Sequence, residues 1–171
     1  MPAGKAPHKP IERDPGSEER YEMCVLAAAG SEWLDVSREE LERPGPSYTV
    51  DTLRALREAE PDDELELIMG ADQAASLPRW REPVEILRLA GAAVARRDGV
   101  GERVGELEVR SALDSLEGSD RVTFFDMPRV DVSSSDVRER VAAGRPYHYL
   151  VPERVADRIA ERGLYAGGGE A

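Results

Sequence analysis

The sequence predicts an α/β fold in which a parallel sheet is flanked by helices on both faces. Three observations predict it. Short apolar runs alternate with segments of helical spacing, the alternation recurs along most of the chain, and the junctions carry helix-start and helix-stop residues. At 171 residues the chain suits one domain, expected over residues 1–166, with a disordered tail at 167–171.

The chain opens on Met1-Pro2-Ala3-Gly4-Lys5-Ala6-Pro7-His8-Lys9-Pro10, a loop composition with no strand before it. A helix is expected over 18–29 and a strand over 33–37. Residues 49–59 follow as a helix, with Val50, Leu53 and Leu56 on one face. A strand over 65–69 leads to a helix holding Ala74, Ala75 and Leu77, then to a helix over 83–90 with Val84 and Leu87 one turn apart. A strand over 92–95, a solvated charged loop over 98–105 and a helix over 108–116 precede a strand over 122–126. The β-like run 129–132 feeds a helix marked by Val137 and Val141 and stopped at Gly144-Arg145-Pro146. Residues 150–162 form the last helix, with Pro152 in its first turn and Gly163 as its stop. No Gly-rich nucleotide-binding turn follows a first strand, so the sheet is read as beginning after its central strand.

Composition narrows the function. With 35 acidic residues against 23 Lys plus Arg, the formal charge is −12, which disfavours nonspecific attraction to nucleic acid or an anionic membrane. Any anionic ligand must then be held by local groups. Cys24 is the only cysteine, so an intrachain disulfide and a thiolate zinc cluster are excluded. No apolar run approaches membrane-spanning length, and residues 1–15 lack the apolar core of a signal peptide. A cytoplasmic setting is therefore expected.

The sharpest motif is Val132-Ser133-Ser134-Ser135-Asp136-Val137-Arg138, three hydroxyls and an arginine at a helix entry. Free N–H groups and the positive end of the helix dipole attract phosphate there, and Arg138 adds charged donors. Ser133 with Asp136 also fits a plain capping box. Gly70-Ala71-Asp72 ends a strand, where Gly70 permits close backbone approach and Asp72 either accepts ribose hydroxyls or caps the next helix. Trp80 lies between Arg79 and Arg81, and either stacks on a flat heteroaromatic ring or anchors the loop by packing. Gly45-Pro46-Ser47-Tyr48-Thr49 opens a second hydroxyl-rich helix, in which Ser47 or Thr49 caps or the open N–H groups receive a carboxylate or phosphate. His8 and Lys9 are either phosphate donors or a solvated pair. His148, between Tyr147 and Tyr149, reads as structural. Two distant histidines make no metal cluster of the His-x-x-x-His kind, and no Gly-x-Ser-x-Gly nucleophile elbow is present.

In this order, Pro7-His8-Lys9, residues 45–53, Gly70-Ala71-Asp72, Leu77-Pro78-Arg79-Trp80 and residues 133–138 followed by Tyr149-Leu150-Val151-Pro152 resemble the bacterial nicotinate-mononucleotide adenylyltransferase family. The resemblance runs from Met1 to about Tyr165. It implies a Rossmann-like nucleotidyltransferase fold and in-line attack by the phosphate of nicotinate mononucleotide on the α-phosphorus of ATP, with Mg²⁺ assistance and no covalent intermediate. By this analogy Ser133, Ser134, Ser135, Arg138, Gly70 and Asp72 serve ATP. Ser47, Tyr48, Thr49, Trp80 and Arg81 serve nicotinate mononucleotide, and Arg138, Lys9 and His8 act near the phosphates. Partners are the two small-molecule substrates, with a homo-oligomer left open. A noncatalytic nucleotide-binding remnant and a sister enzyme with another phosphate acceptor, such as a pantetheine phosphate, are the alternatives. Members of the family begin with a strand and a Gly-x-Phe-Asp-Pro-x-His-x-Gly-His loop that this sequence does not contain. Met1 is accordingly expected to be an internal methionine of a longer enzyme, with two strands and one helix before it. In a 3-2-1-4-5 sheet their absence would separate strand 3 from strands 4 and 5.

Overall fold

Three parallel strands organise the larger part of the core. The computed structural model describes residues 1–5, 13–97, 104–128 and 130–166. In chain order these form α1 (Ser17–Ala28), α2 (Glu39–Glu42), α3 (Thr49–Ala59), β1 (Glu66–Gly70), α4 (Ala71–Ser76), α5 (Pro83–Leu89), β2 (Gly91–Arg97), α6 (Glu106–Leu113), β3 (Val122–Met127), α7 (Ser134–Ala142) and α8 (Glu153–Glu161). Short 3₁₀ turns occupy Leu77–Arg79 and Ser119–Arg121. Contacts divide the chain into two units, Met1–Ser47 with Asp131–Ala171, and Tyr48–Val130.

The unit Tyr48–Val130 holds the sheet, in the order β1-β2-β3. Register pairs Leu67 with Ala92 and Met69 with Val94 on one side, and Ala92 with Val122 and Val94 with Phe124 on the other. Because side chains alternate along a strand, these six residues share one face. That face belongs to the core, together with Val50 and Leu53 of α3, Ile86, Leu87 and Leu89 of α5, Val109 and Leu113 of α6, and Leu77. The opposite face leaves Ile68 71% exposed and Phe125 37% exposed, although Ala95, between Gly70 and Phe125 in the register, is buried.

Two arginines distant in sequence cap the C-terminal end of α5. Arg57 Nη2 donates to Leu89 O (2.9 Å), and Arg121 Nη1 donates to Leu87 O (2.6 Å) and Arg88 O (2.8 Å). Terminal carbonyls have no intrahelical donor, and a cation there also meets the negative end of the dipole. Gly118 completes this corner: its φ is +88°, and a Cβ would lie 3.0 Å from Leu87 Cβ.

The unit Met1–Ser47 with Asp131–Ala171 contains α1, α2, α7 and α8. Val155, Ala156 and Ile159 form the buried stripe of α8, which packs on α1. Glu19 of α1 ties the pair, accepting from Arg158 Nε (3.0 Å) and Arg162 Nη2 (2.9 Å). At the start of the chain, Arg20 donates to the carbonyls of Ala3 and Gly4. A Cβ on Gly4 would sit 2.3 Å from the Glu40 carbonyl oxygen, so only glycine fits that contact.

Periodicity placed most elements, and the differences have local causes. The helix expected over 49–59 is α3 to the residue. Residues 33–37 form no strand, and Trp33 (81%) and Leu34 (46%) are exposed. A β-like run needs a ladder partner, and the described residues offer it none. The strand expected to lie apart does not form, while β1, β2 and β3 remain contiguous. Residues 130–132 are likewise irregular, with Val130 58% exposed; Arg129 lies outside the described residues. The helix expected from 108 begins at Glu106, because Glu108 reaches back to the Gly105 N–H (3.1 Å) as a third-position residue. Pro152 precedes the last helix as its N-cap instead of entering the first turn. The loop expected over 98–105 lies mostly, and the tail over 167–171 wholly, outside the described residues.

Arg158, with Arg162, holds the Glu19 carboxyl below the usual carboxylate range. A depressed folded pKa contributes stability that is present above the ordinary carboxylate pKa and lost as pH falls through the folded value. Glu19→Gln should therefore lower Tm at neutral pH, and the gap to the parent should close as the solution is acidified. A gap that stays constant across the acid range would refute the linkage.

Candidate active site

Ser133 opens α7 in an extended conformation, and its Oγ accepts the Asp136 N–H at 3.0 Å. This is the cap the sequence suggests, but only half of a capping box. The Asp136 carboxylate accepts from Arg140 Nε (3.0 Å), an i,i+4 pair on the helix side. Ser133, Ser134 and Ser135 are all exposed. The first intrahelical bond runs from Val137 N to Ser133 O (3.1 Å), which leaves the amides of Ser134 and Ser135 at the open end. Arg138, half-buried, donates through Nη2 to Ser135 Oγ (3.0 Å). Its guanidinium, which has five donors in all, is thus tethered to the first turn. Two N–H groups, hydroxyls and a permanent cation at a nine-residue helix entry suit a phosphate chain.

A second cluster lies in the unit Tyr48–Val130. Tyr48 is the N-cap of α3 with no side-chain cap, so neither Ser47 nor Thr49 caps that helix. Ser47 is buried, and its Oγ accepts from the Gly4 N–H (3.0 Å) and the Lys5 N–H (3.4 Å). That hydroxyl serves the opening segment of the chain. Thr49 is half-buried in the first turn of α3. Trp80 is both anchor and platform: its ring packs against the core yet stays half-exposed, and its Nε1 donates to Ser76 Oγ at 2.9 Å. An indole fixed at both its apolar body and its polar edge presents a preset face for stacking. Next to it, the Arg81 guanidinium lies 4.7 Å above the Tyr48 ring and 3.7 Å from Asp51. The fold thus brings Tyr48 and the Trp80-Arg81 turn together.

Gly70 is the N-cap of α4, which starts directly from β1. Asp72 is not the cap. It sits inside the first turn with an exposed carboxylate at the carboxyl end of a parallel strand. His8 and Lys9 lie outside the described residues. His148 stacks on Tyr147 (centroids 4.5 Å apart), whereas Tyr149 is 98% exposed, so it has one aromatic neighbour and not two. Among the described residues no three His, Cys, Asp or Glu side chains converge on a metal position, and no helix is long and apolar enough to cross a membrane.

Sequence reasoning missed the charged network beside Trp80. Glu82 adopts φ +53° as the residue before α5, and its carboxylate accepts from Arg54 Nη2 (2.6 Å) and Nη1 (3.3 Å). The hydrogen bond to Arg54 lowers the Glu82 pKa and raises that of Arg54. Arg54 and Asp51 have a local signal in their i,i+3 spacing. The partner 28 residues away has none.

Comparison with known proteins fits this arrangement. The family model described as "Cytidylyltransferase-like" matches residues 1–140. A probable nicotinate-nucleotide adenylyltransferase from Frankia casuarinae is 40% identical over 167 residues, which is 98% of this chain and 83% of that protein. One of the same description from Tropheryma whipplei is 39% identical over 165 residues, 96% of this chain and 81% of its own length. The chain belongs to the nicotinate-nucleotide adenylyltransferase family. In fold it is similar to two structures of Plasmodium falciparum nicotinic acid mononucleotide adenylyltransferase. The complex with APC has a TM-score of 0.66 at 17% identity, over 88% of this chain and 76% of that one. The complex with NaAD has a TM-score of 0.68 at 16% identity, over 95% and 78%.

Within this adenylyltransferase-family chain the α7 entry has a measurable structural component. Ser133→Ala should cost about 1 kcal/mol of stability, read from urea unfolding, and Ser133→Asp, another capping residue, should retain most of it. Equal losses in both variants would show that Ser133 does not act as a cap.

Proposed function

We propose that this chain transfers the adenylyl group of ATP to nicotinate mononucleotide, giving deamido-NAD and pyrophosphate, as a step of NAD biosynthesis. The observation that carries the reading is the near-complete coverage at 40% identity by a relative named for this activity. The single, exposed cysteine supports a cytoplasmic enzyme.

In the reaction a nonbridging oxygen of the acceptor phosphate forms a bond to the α-phosphorus of ATP. The bond from that phosphorus to the α,β-bridging oxygen breaks, and its electron pair leaves with pyrophosphate. The acceptor is already an anion, so no general base is required at the attacking oxygen. What the protein must do is hold two polyanions in line and offset the charge that gathers on the leaving group. Amides of Ser134 and Ser135, their hydroxyls and Arg138 are the candidate donors for the ATP phosphates; Asp72, exposed at the strand end near Gly70, is taken by itself as a candidate acceptor for a ribose hydroxyl. Mg²⁺ comes with ATP as part of the substrate and supplies further charge neutralisation. By the family resemblance His8 and Lys9 are further candidate phosphate donors.

For the acceptor, Trp80 offers the stacking face for the pyridine ring. The open N–H groups of the α3 entry at Tyr48 and Thr49 receive its carboxylate, since a helix N-terminus favours an anion. A preference for the acid over the amide follows: a carboxamide would bring its NH₂ donor against N–H donors. Ser47, whose Oγ accepts from the Gly4 and Lys5 N–H groups, keeps an O–H donor and is proposed with Tyr48 and Thr49 for the acceptor.

The direct test is formation of deamido-NAD from ATP and nicotinate mononucleotide, with pantetheine phosphate as the competing acceptor. Product from the first alone is expected, and a preference for the second would overturn the acceptor assignment. Trp80→Ala should weaken nicotinate mononucleotide binding by roughly 1–3 kcal/mol; unchanged affinity in a folded variant would remove Trp80 from the site. Arg138→Ala should impair ATP use more than acceptor binding, and equal loss of both would make Arg138 a structural residue.

A further inference from the structure

We infer that Glu82 is a positioning residue for the pyridine-nucleotide acceptor, the clasp that sets Trp80 against the entry of α3; this rests on the acceptor assignment above. Its backbone is the first indication. Glu82 has φ +53° and ψ +58°, a left-handed conformation that a glutamate rarely adopts and that persists only where surrounding interactions over-determine it. Glycine would make the same turn without strain. What glycine lacks is the carboxylate.

That carboxylate joins the two halves of the acceptor cluster. It takes both Nη atoms of Arg54 from α3, at 2.6 and 3.3 Å, and lies 3.6 Å from Arg81 Nε. Arg81 in turn covers the Tyr48 ring and reaches Asp51 in the first turn of α3. Arg54 closes the circuit with Asp51 (3.6 Å) and Glu85 of α5 (3.8 Å). Trp80, one residue before Arg81, is held from its other side by Ser76. Its ring is therefore pinned to α4 through the indole N–H and to α3 through the Arg81-Glu82 turn. Arg81, shared between Asp51 and Glu82, also works as a strut in this circuit.

The same geometry says where the effect should appear. The side chains of Arg54 (43% exposed) and Glu82 (42%) are open to water, where ion pairs contribute little to stability. Stacking and N–H contacts to one rigid ring, by contrast, fail when their supports shift by a fraction of an ångström. Loss of Glu82 should therefore register in acceptor binding and barely in unfolding.

The experiment uses the full chain in a Trp33→Phe background. Trp33 is exposed and has none of the assigned roles, and its removal leaves Trp80 as the one indole reporter. Nicotinate mononucleotide is titrated while Trp80 emission is followed, and KM values for both substrates are measured in parallel. Glu82→Asn, which tolerates the left-handed backbone, should raise the Kd for nicotinate mononucleotide roughly five- to tenfold. Arg54→Met should do the same from the other side of the pair, with no further loss in the double variant. The KM for ATP should stay within about twofold, and Tm should stay near the parent value. An unchanged Kd in either folded variant, or equal losses for ATP and acceptor, overturns the inference. If Glu82→Asn fails to fold, Arg54→Met, which leaves the backbone at residue 82 untouched, decides. A parent that neither responds to nicotinate mononucleotide nor makes deamido-NAD overturns the acceptor assignment and the inference with it. A parent that responds, with variants that match it, sinks the inference alone.

Discussion

Parallel pairing through β2 is the constraint on which the unit Tyr48–Val130 depends. Parallel neighbours cannot be joined by a hairpin, so each connection must leave the sheet, cross it as a helix and return. Three strands in the order β1-β2-β3 therefore commit the intervening chain to α4, α5 and α6. They also bring the carboxyl ends of the strands to one edge, which is where Gly70 and Asp72 emerge. The central strand suits the task through its small side chains. Ala92, Val94 and Ala95 are buried, and α4 lies across both β1 and β2. Small residues there let a helix approach closely, and the volume is made up by Leu77, Ile86 and Leu87, which are almost wholly removed from water.

On that frame, arginines make the connections that hydrophobic packing leaves undetermined. Arg57 and Arg121 cap α5 from two remote positions, and Arg57 also reaches the carbonyls of Pro61 and Asp63. Arg20 holds the opening residues of the chain in the same way, and Arg96 joins Glu106 to Asp126 beside the sheet. A planar fork with several donors can satisfy two or three backbone oxygens at once, which a single ammonium does less well. An acidic chain thus spends much of its positive charge internally. On the proposed reading, recognition of an anionic substrate rests on a few placed donors, such as Arg138, and on helix entries.

How much of this was legible in the sequence depended on how local the cause was. Val50, Leu53 and Leu56 repeat at helical spacing, and α3 could be delimited from that alone. The Ser133 cap is an equally local signal. The strand expected over 33–37 failed because strand propensity is realised only through a partner, and a single segment does not reveal whether one is at hand. Of the two roles open to Asp72 the cap falls to Gly70, and Pro152 caps the helix whose first turn it was expected to enter, a ranking of cap geometries that composition cannot make. Glu82 was invisible. A left-handed glutamate beside Pro83 has no sequence signature, and its meaning lies in Arg54, which only the tertiary fold brings near.

The dependence on arginine has a practical side. Of the 23 Lys and Arg residues, Lys5 and Lys9 are the only lysines, and both precede α1. Within these 171 residues the lysine side chains are consequently confined to positions 5 and 9. Lysine-directed attachment of a dye, biotin or surface would find no lysine side chain in the sheet, the Trp80 cluster or α7. Reagents that attack guanidinium groups would do the opposite, striking the caps of α5 and the tether of the serine-rich turn together.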